Sequence, residues 1–80
     1  WSTVLFYPAE RKLHTIKVIR MLTGLSLKEA KSLTDNVPSV IRTGLGCTEA
    51  FRMARELEET GASAGAKRLT NREMQYYYTV

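Results

Sequence analysis

The sequence holds few of the residues that build catalytic, metal or crosslinked sites. Its single cysteine, Cys47, excludes an internal disulfide and a multi-cysteine zinc site, and it favours a reducing compartment. The single histidine, His14, has no second histidine, aspartate or cysteine at ligand or catalytic spacing, so we interpret it as a surface helix residue. We therefore predict no metal, no cofactor and no enzymatic activity, and we expect a binding module.

Long apolar runs, a secretory signal and a phosphate-binding loop are also missing. No apolar stretch approaches the ~18 residues of a transmembrane helix, so no membrane partner is expected. Gly44 and Gly46 are followed by neither Lys-Ser/Thr nor a third spaced glycine, and we interpret them as a turn. The sequence begins at Trp1 and not at methionine, which is consistent with a processed product or with one domain of a longer protein.

The overall composition is that of one small globular domain. The chain has 80 residues, of which 44% are hydrophobic and 25% are charged. A core of this size supports roughly 5 kcal/mol of net stability. The net charge of +4 permits an anionic partner without demanding one. We expect a folded domain over residues 1–69 and a C-terminal extension over residues 70–80.

Hydrophobic periodicity predicts three strands and three helices in the order β-α-α-β-α-β. Helices that each bury one apolar stripe can together cover one face of a small sheet, so the predicted fold class is α/β (α+β), a two-layer sandwich. In the third helix, Thr48 is the expected N-cap, and Arg52–Glu56 and Arg55–Glu59 are expected surface ion pairs. The predicted segments are strands 2–7, 39–43 and 62–67 and helices 12–22, 27–34 and 49–60.

The first helix has apolar residues on two faces. The stripe expected to face the core consists of Thr15, Val18, Ile19 and Leu22. The other face is expected to carry Leu13, Ile16, Lys17 and Arg20. Aliphatic side chains interleaved with cations on a solvent-facing surface indicate a contact surface.

A tight turn and a capping box separate the first two helices. Gly24 can adopt the left-handed conformation that ends a helix. Ser26 and Glu29 have the spacing of a capping box, in which the serine hydroxyl accepts from the amide of residue 29 and the glutamate accepts from the amide of residue 26. The second helix should therefore start at Leu27 and bury Leu27, Ala30 and Leu33. Its basic residues are Lys28 and Lys31.

These motifs resemble the C-terminal domain of the bacterial-type ribosomal stalk protein, large-subunit protein seven/twelve. The family pattern is a lysine, then I-K-x-x-R, then T-G-L-x-L-K-E-A-K-x-L, and it is met from Lys12 to Leu33. The segment EETGA at residues 58–62 resembles the end of the family's last helix. The similarity covers roughly Val4 to Lys67. Ser26 departs from the pattern, since the family usually has glycine there.

The resemblance implies a function as well as a fold. Stalk C-terminal domains bind translational GTPases, including elongation factors G and Tu, and promote GTP hydrolysis during translation. It also implies attachment to the ribosome through a region not in this sequence, in the cytoplasm or an organelle matrix. The partner-binding residues carried over from the family, with Leu13 on the same face, are Lys12, Leu13, Ile16, Lys17, Arg20, Leu25, Lys28, Glu29 and Lys31.

Three other functions stay open. A stand-alone stalk mimic could use the same surface to divert a host factor. A helix-turn-helix nucleic-acid binder fits the glycine turn and the cations, but residues 27–34 lack exposed Asn, Gln and Arg for base contacts, so nucleic acid is an unlikely partner. An adaptor for the Clp protease needs an acidic pocket, and Glu29 and Asp35 are the only acids near the turn.

The C-terminal extension lies outside the resemblance. Residues 74–80, MQYYYTV, have strand propensity and include three consecutive tyrosines. We expect them to be ordered and to add an edge strand that covers the alanine-rich third strand. A partner-binding or disordered extension is the alternative.

Overall fold

The computed structural model of the chain describes residues 1–68 and residue 72. Within these residues the six elements follow the predicted order, and none of the helices is long and apolar enough to cross a membrane. The elements are β1 (Ser2–Tyr7), α1 (Lys12–Thr23), α2 (Leu27–Asp35), β2 (Ser39–Arg42), α3 (Cys47–Glu58) and β3 (Ser63–Lys67). The predicted C-terminal edge strand lies outside the described residues.

The three strands form one antiparallel sheet with β1 in the centre, in the order β2-β1-β3. Val4 pairs with Val40 on one side of β1 and with Gly65 on the other. Irregularities in register occur between Thr3 and Val4 against β2 and between Leu5 and Tyr7 against β3. Antiparallel neighbours on both sides satisfy the backbone of β1, so this strand is the structural centre of the sheet.

All three helices pack on one face of the sheet, which confirms the two-layer architecture. Leu5 from β1 meets Ile19 from α1, Ala30 from α2 and Leu57 from α3 in a single buried cluster. On the same face of the sheet, the hydroxyl of Thr3 donates a hydrogen bond of 3.0 Å to the carbonyl oxygen of Ala50. The core is therefore the layer between β1 and the helices.

Two predicted placements on α1 and α2 are wrong. Ile16, expected on the exposed face, is only 7% exposed and belongs to the buried cluster, because α2 packs beside α1 and encloses that side of the helix. Leu27, expected in the core, is 54% exposed, because it lies in the first turn of α2 at the margin of the buried stripe. Val18, assigned to the core stripe, is only partly buried.

The third helix begins two residues earlier than predicted. It starts at Cys47 with Gly46 as N-cap, so Thr48 lies inside the helix and provides no cap. Its predicted buried stripe is confirmed, since Ala50, Met53, Ala54 and Leu57 are all buried. The expected Arg52–Glu56 and Arg55–Glu59 pairs do not form within the described residues, where the one ion pair joins Lys12 to Asp35.

Candidate partner-binding surface

The helices α1 and α2 form an antiparallel hairpin with contacts at both ends. At the open end, the ammonium group of Lys12, the first residue of α1, donates to a carboxylate oxygen of Asp35, the last residue of α2, at 3.2 Å. At the closed end, residues 24–26 join the helices. The Lys12–Asp35 pair is about half exposed, so it adds little stability, and it shows that the start of α1 lies beside the end of α2.

The turn between the helices is ordered by local hydrogen bonds. Gly24 has φ 73°, the left-handed conformation predicted for it, and its amide donates to the carbonyl oxygen of Arg20 at 2.8 Å. The amide of Leu25 donates to the hydroxyl of Thr23 at 3.3 Å. Arg20 Nε in turn donates to the carbonyl oxygen of Leu25 at 3.4 Å. The guanidinium group of Arg20 is therefore hydrogen-bonded to the turn.

The N-terminus of α2 is capped by one half of the predicted capping box. The amide of Glu29 donates to Ser26 Oγ at 3.2 Å, as expected. The glutamate does not return to the amide of residue 26. Instead, the Ser26 hydroxyl donates to Glu29 Oε1 at 3.2 Å. Glu29 is thus exposed and also part of the cap that positions the turn.

Exposed apolar side chains lie on both helices of the hairpin. Leu13 and Met21 on α1 are 68% and 69% exposed, and Leu27 on α2 is also exposed. Leu25 in the turn is partly exposed. Of these, Leu13 and Leu25 are predicted partner-binding residues, whereas sequence analysis missed Met21 and Leu27 as surface residues. The i, i+4, i+8 spacing of Leu27 with Lys31 and Asp35 is the signal that places Leu27 on the hairpin surface.

The cations of the hairpin surround these apolar residues. Lys17 and Arg20 on α1 and Lys28 and Lys31 on α2 are all exposed, as predicted. Lys17 follows Leu13 by one helical turn, and Lys31 follows Leu27 by one helical turn, so each leucine has a lysine on its own stripe. We call this region the α1–α2 surface, and it comprises Lys12, Leu13, Lys17, Arg20, Met21, Leu25, Leu27, Lys28, Glu29 and Lys31.

Comparison with known proteins identifies the family of this domain. The sequence model of the family described as "Ribosomal protein L7/L12 C-terminal domain" matches residues 3–67. This range contains α1, α2 and α3, all of the described sheet except Ser2, and the complete α1–α2 surface. The chain belongs to this family.

Curated proteins that are similar to this chain belong to the same family. The large ribosomal subunit protein bL12 of Chlorobium phaeobacteroides is 45% identical over 67 residues, which are 84% of this chain and 54% of the relative. The bL12 protein of Aquifex aeolicus is 43% identical over 67 residues, with 84% and 52% covered. That of Streptococcus sanguinis is 48% identical over 58 residues, with 72% and 48% covered. The L7/L12-like chain thus spans about half the length of these relatives.

The cap at Ser26 leads to a prediction for this L7/L12-like domain. We expect Ser26→Ala to lower the free energy of unfolding by about 1 kcal/mol, because the amide of Glu29 loses its acceptor. Ser26→Gly should cost only a few tenths of that amount, since glycine is tolerated at an N-cap. Urea denaturation of both variants measures the difference, and a Ser26→Ala variant as stable as the unmodified domain would show that the hydroxyl does not act as a cap.

Proposed function

We propose that this domain is a non-catalytic binding module that recruits translational GTPases, such as elongation factors G and Tu, and promotes their GTP hydrolysis during translation. The observation that carries the proposal is the α1–α2 surface, where exposed leucines and lysines lie together on two helices that pack against each other. Membership in the L7/L12 C-terminal domain family supports the assignment.

The chemistry of this surface suits rapid and reversible recruitment. Exposed cations attract an acidic partner over several ångströms and raise the association rate, while they contribute little to residence time. Leu13, Leu25 and Leu27 provide apolar area that is dehydrated on contact. A small contact of this kind should be weak and fast, as is required when several factors bind the same site in turn.

The alternative of a Clp-type adaptor receives no support from the geometry of the hairpin. That function needs free carboxylates to bind the α-amine of a substrate. Asp35 is paired with Lys12, and Glu29 accepts a hydrogen bond from the Ser26 hydroxyl. Both acids are therefore engaged, and Asp35 lies at the open end of the hairpin, away from the turn, so the two do not form one acidic pocket.

We further propose that the domain acts at the ribosome, in the cytoplasm or an organelle matrix. Its relatives are named as large ribosomal subunit proteins, and about half of each relative lies outside the matched region. Attachment to the ribosome would then depend on a region beyond these 80 residues. A stand-alone role, in which the domain diverts a factor from the ribosome, uses the same α1–α2 surface.

An amide NMR titration tests the proposed function. The ¹⁵N-labelled domain is titrated with elongation factor G bound to a non-hydrolysable GTP analogue. We expect fast-exchange shifts confined to residues 12–33, because the proposed contacts lie on α1, the turn and α2. Shifts centred on α3 or β3, or no shifts at near-millimolar factor, would refute the proposed site.

A further inference from the structure

An exposed pair of aromatic rings lies beside α3, the helix on the opposite side of α1 from α2. The rings of Trp1 and Phe51 have centroids 5.8 Å apart and planes tilted by 45°. Trp1 is 38% exposed and Phe51 is 53% exposed, although large aromatic rings are mostly buried in folded domains. The pair therefore belongs to a surface of its own, separate from the α1–α2 surface.

Both rings are anchored to the same buried cluster. The amino nitrogen of Trp1 donates to the carbonyl oxygen of Leu45 at 2.9 Å, and the amide of Leu45 donates to the carbonyl oxygen of Trp1 at 2.9 Å. Leu45 packs with Ala50 and Met53, the buried residues of α3 on either side of Phe51 in the sequence. The backbone at each end of the ring pair is thus held by the core while the rings reach solvent.

Two arginines and a hydroxyl group lie next to the rings on the exposed side of α3. Residues three or four apart are neighbours on a helix, so Arg55 follows Phe51 by one turn and Arg52 follows Thr48 by one turn. Both arginines are exposed, and among residues 1–68 neither forms an ion pair with a carboxylate. Their guanidinium groups therefore present several N–H donors beside an aromatic platform.

These side chains form a groove of about 470 Å³ along α3, which is lined by Cys47, Thr48, Phe51, Arg52, Arg55 and Glu58. The lining contains one aromatic ring and no aliphatic side chain, whereas the α1–α2 surface carries three leucines and a methionine. Anchors of a protein contact are surrounded by further contacts that exclude water, but the neighbours of this ring are polar. A ring beside guanidinium groups instead matches a nucleotide, whose base stacks on the ring and whose phosphate accepts two parallel hydrogen bonds.

We propose that the groove along α3 binds single-stranded RNA. Bases stack on Phe51 and Trp1, and Arg52 and Arg55 bind the phosphates. The net charge of +4 attracts such a polyanion without regard to its sequence. No base edge is read at this surface, so the lack of Asn, Gln and Arg in residues 27–34, which argues against duplex DNA on α2, does not bear on it.

The carboxylate of Glu58 favours RNA over DNA at one end of the groove. A carboxylate repels a phosphate, but it accepts a hydrogen bond from a ribose 2′-hydroxyl group, which DNA lacks. The hydroxyl of Thr48 at the other end can donate to or accept from the same kind of group. The groove thus combines donors for phosphates with an acceptor for ribose.

Trp1 is the only tryptophan in the chain, so its fluorescence reports directly on this surface. The full 80-residue chain is titrated with a short oligouridylate at low salt, and binding is followed by fluorescence and amide NMR. We expect stacked bases to quench Trp1, with amide shifts centred on Trp1 and residues 47–58. The absence of quenching and of shifts at near-millimolar RNA would overturn the proposal. Shifts centred on residues 12–33 would overturn it as well, because they would place the RNA on the α1–α2 surface.

A matched pair of double variants tests the two kinds of contact. We expect Phe51→Ala, Arg55→Gln to lower the RNA affinity at least about fivefold, the smallest loss typical of one stacked base. The slope of log affinity against log salt should also fall by about 0.7, the contribution of one phosphate contact to a single strand. The control, Tyr7→Ala, Arg11→Gln, removes an exposed ring and an exposed arginine at the far end of β1 and should change neither quantity. Equal losses in the two variants would refute the proposed groove.

Two further ligands separate the proposal from its alternatives. An oligodeoxyuridylate should bind more weakly than the oligouridylate, because it offers Glu58 no 2′-hydroxyl group, and equal affinities would overturn the assignment to RNA. Polyglutamate carries carboxylates without bases, so it should not quench Trp1. Polyglutamate that bound as tightly as the oligouridylate would refute base stacking and assign the groove to an acidic protein. The elongation factor titration is independent of these results, since it reports on residues 12–33.

Discussion

The double variant Lys17→Glu, Lys31→Glu is expected to bind elongation factor G about 100-fold more weakly than the unmodified domain. The two lysines lie on different helices of the α1–α2 surface and are exposed, so both can face the same acidic partner. Charge reversal replaces two attractions by two repulsions, and a 100-fold change corresponds to about 2.7 kcal/mol. The thermal midpoint should shift by no more than one or two degrees, because neither side chain packs in the core.

The matched control for this variant is Arg52→Glu, Arg55→Glu on α3. It changes the net charge by the same amount and also replaces exposed cations, but on a helix outside the α1–α2 surface. Isothermal titration or fluorescence anisotropy at two salt concentrations measures the affinity of each variant for elongation factor G. If the α3 variant loses as much affinity as the hairpin variant, binding depends on net charge and not on the proposed surface.

A second pair of substitutions tests whether Ile16 belongs to the core and Leu27 to the partner-binding surface. Ile16→Asp is expected to unfold the domain, because an unpaired carboxylate in the buried cluster costs several kcal/mol against a net stability of roughly 5 kcal/mol. Leu27→Asp should leave the fold intact, because the residue is mostly exposed and an acid in the first turn of a helix is favourable. The same change should weaken factor binding at least about tenfold by removing apolar contact area.

Circular dichroism and the factor titration distinguish these two outcomes. The expected pattern is loss of helical signal for Ile16→Asp and retained signal with weaker binding for Leu27→Asp. A folded Ile16→Asp variant with impaired binding would restore the original expectation that Ile16 contacts the partner. A Leu27→Asp variant that binds normally would remove Leu27 from the α1–α2 surface.

The sequence by itself predicted the helix ends at which a single residue determines the backbone conformation or caps the helix. Gly24 ends α1 in the left-handed conformation, and Ser26 starts α2 by accepting from the amide of Glu29. These interactions form within a few residues, so the sequence contains all the information that they need. The same holds for α3, where i, i+3, i+4 spacing correctly predicted the buried stripe from Ala50 to Leu57.

Only the tertiary structure determined which side of each helix is buried against another element. Ile16 lies between the core stripe and the exposed stripe of α1, and only the position of α2 determines that it is buried. Leu27 has the apolar character of a core residue, but it is 54% exposed, so no element of residues 1–68 encloses it in the first turn of α2. Sequence fixes local geometry through neighbours in the chain, whereas burial depends on contacts between residues that are far apart in it.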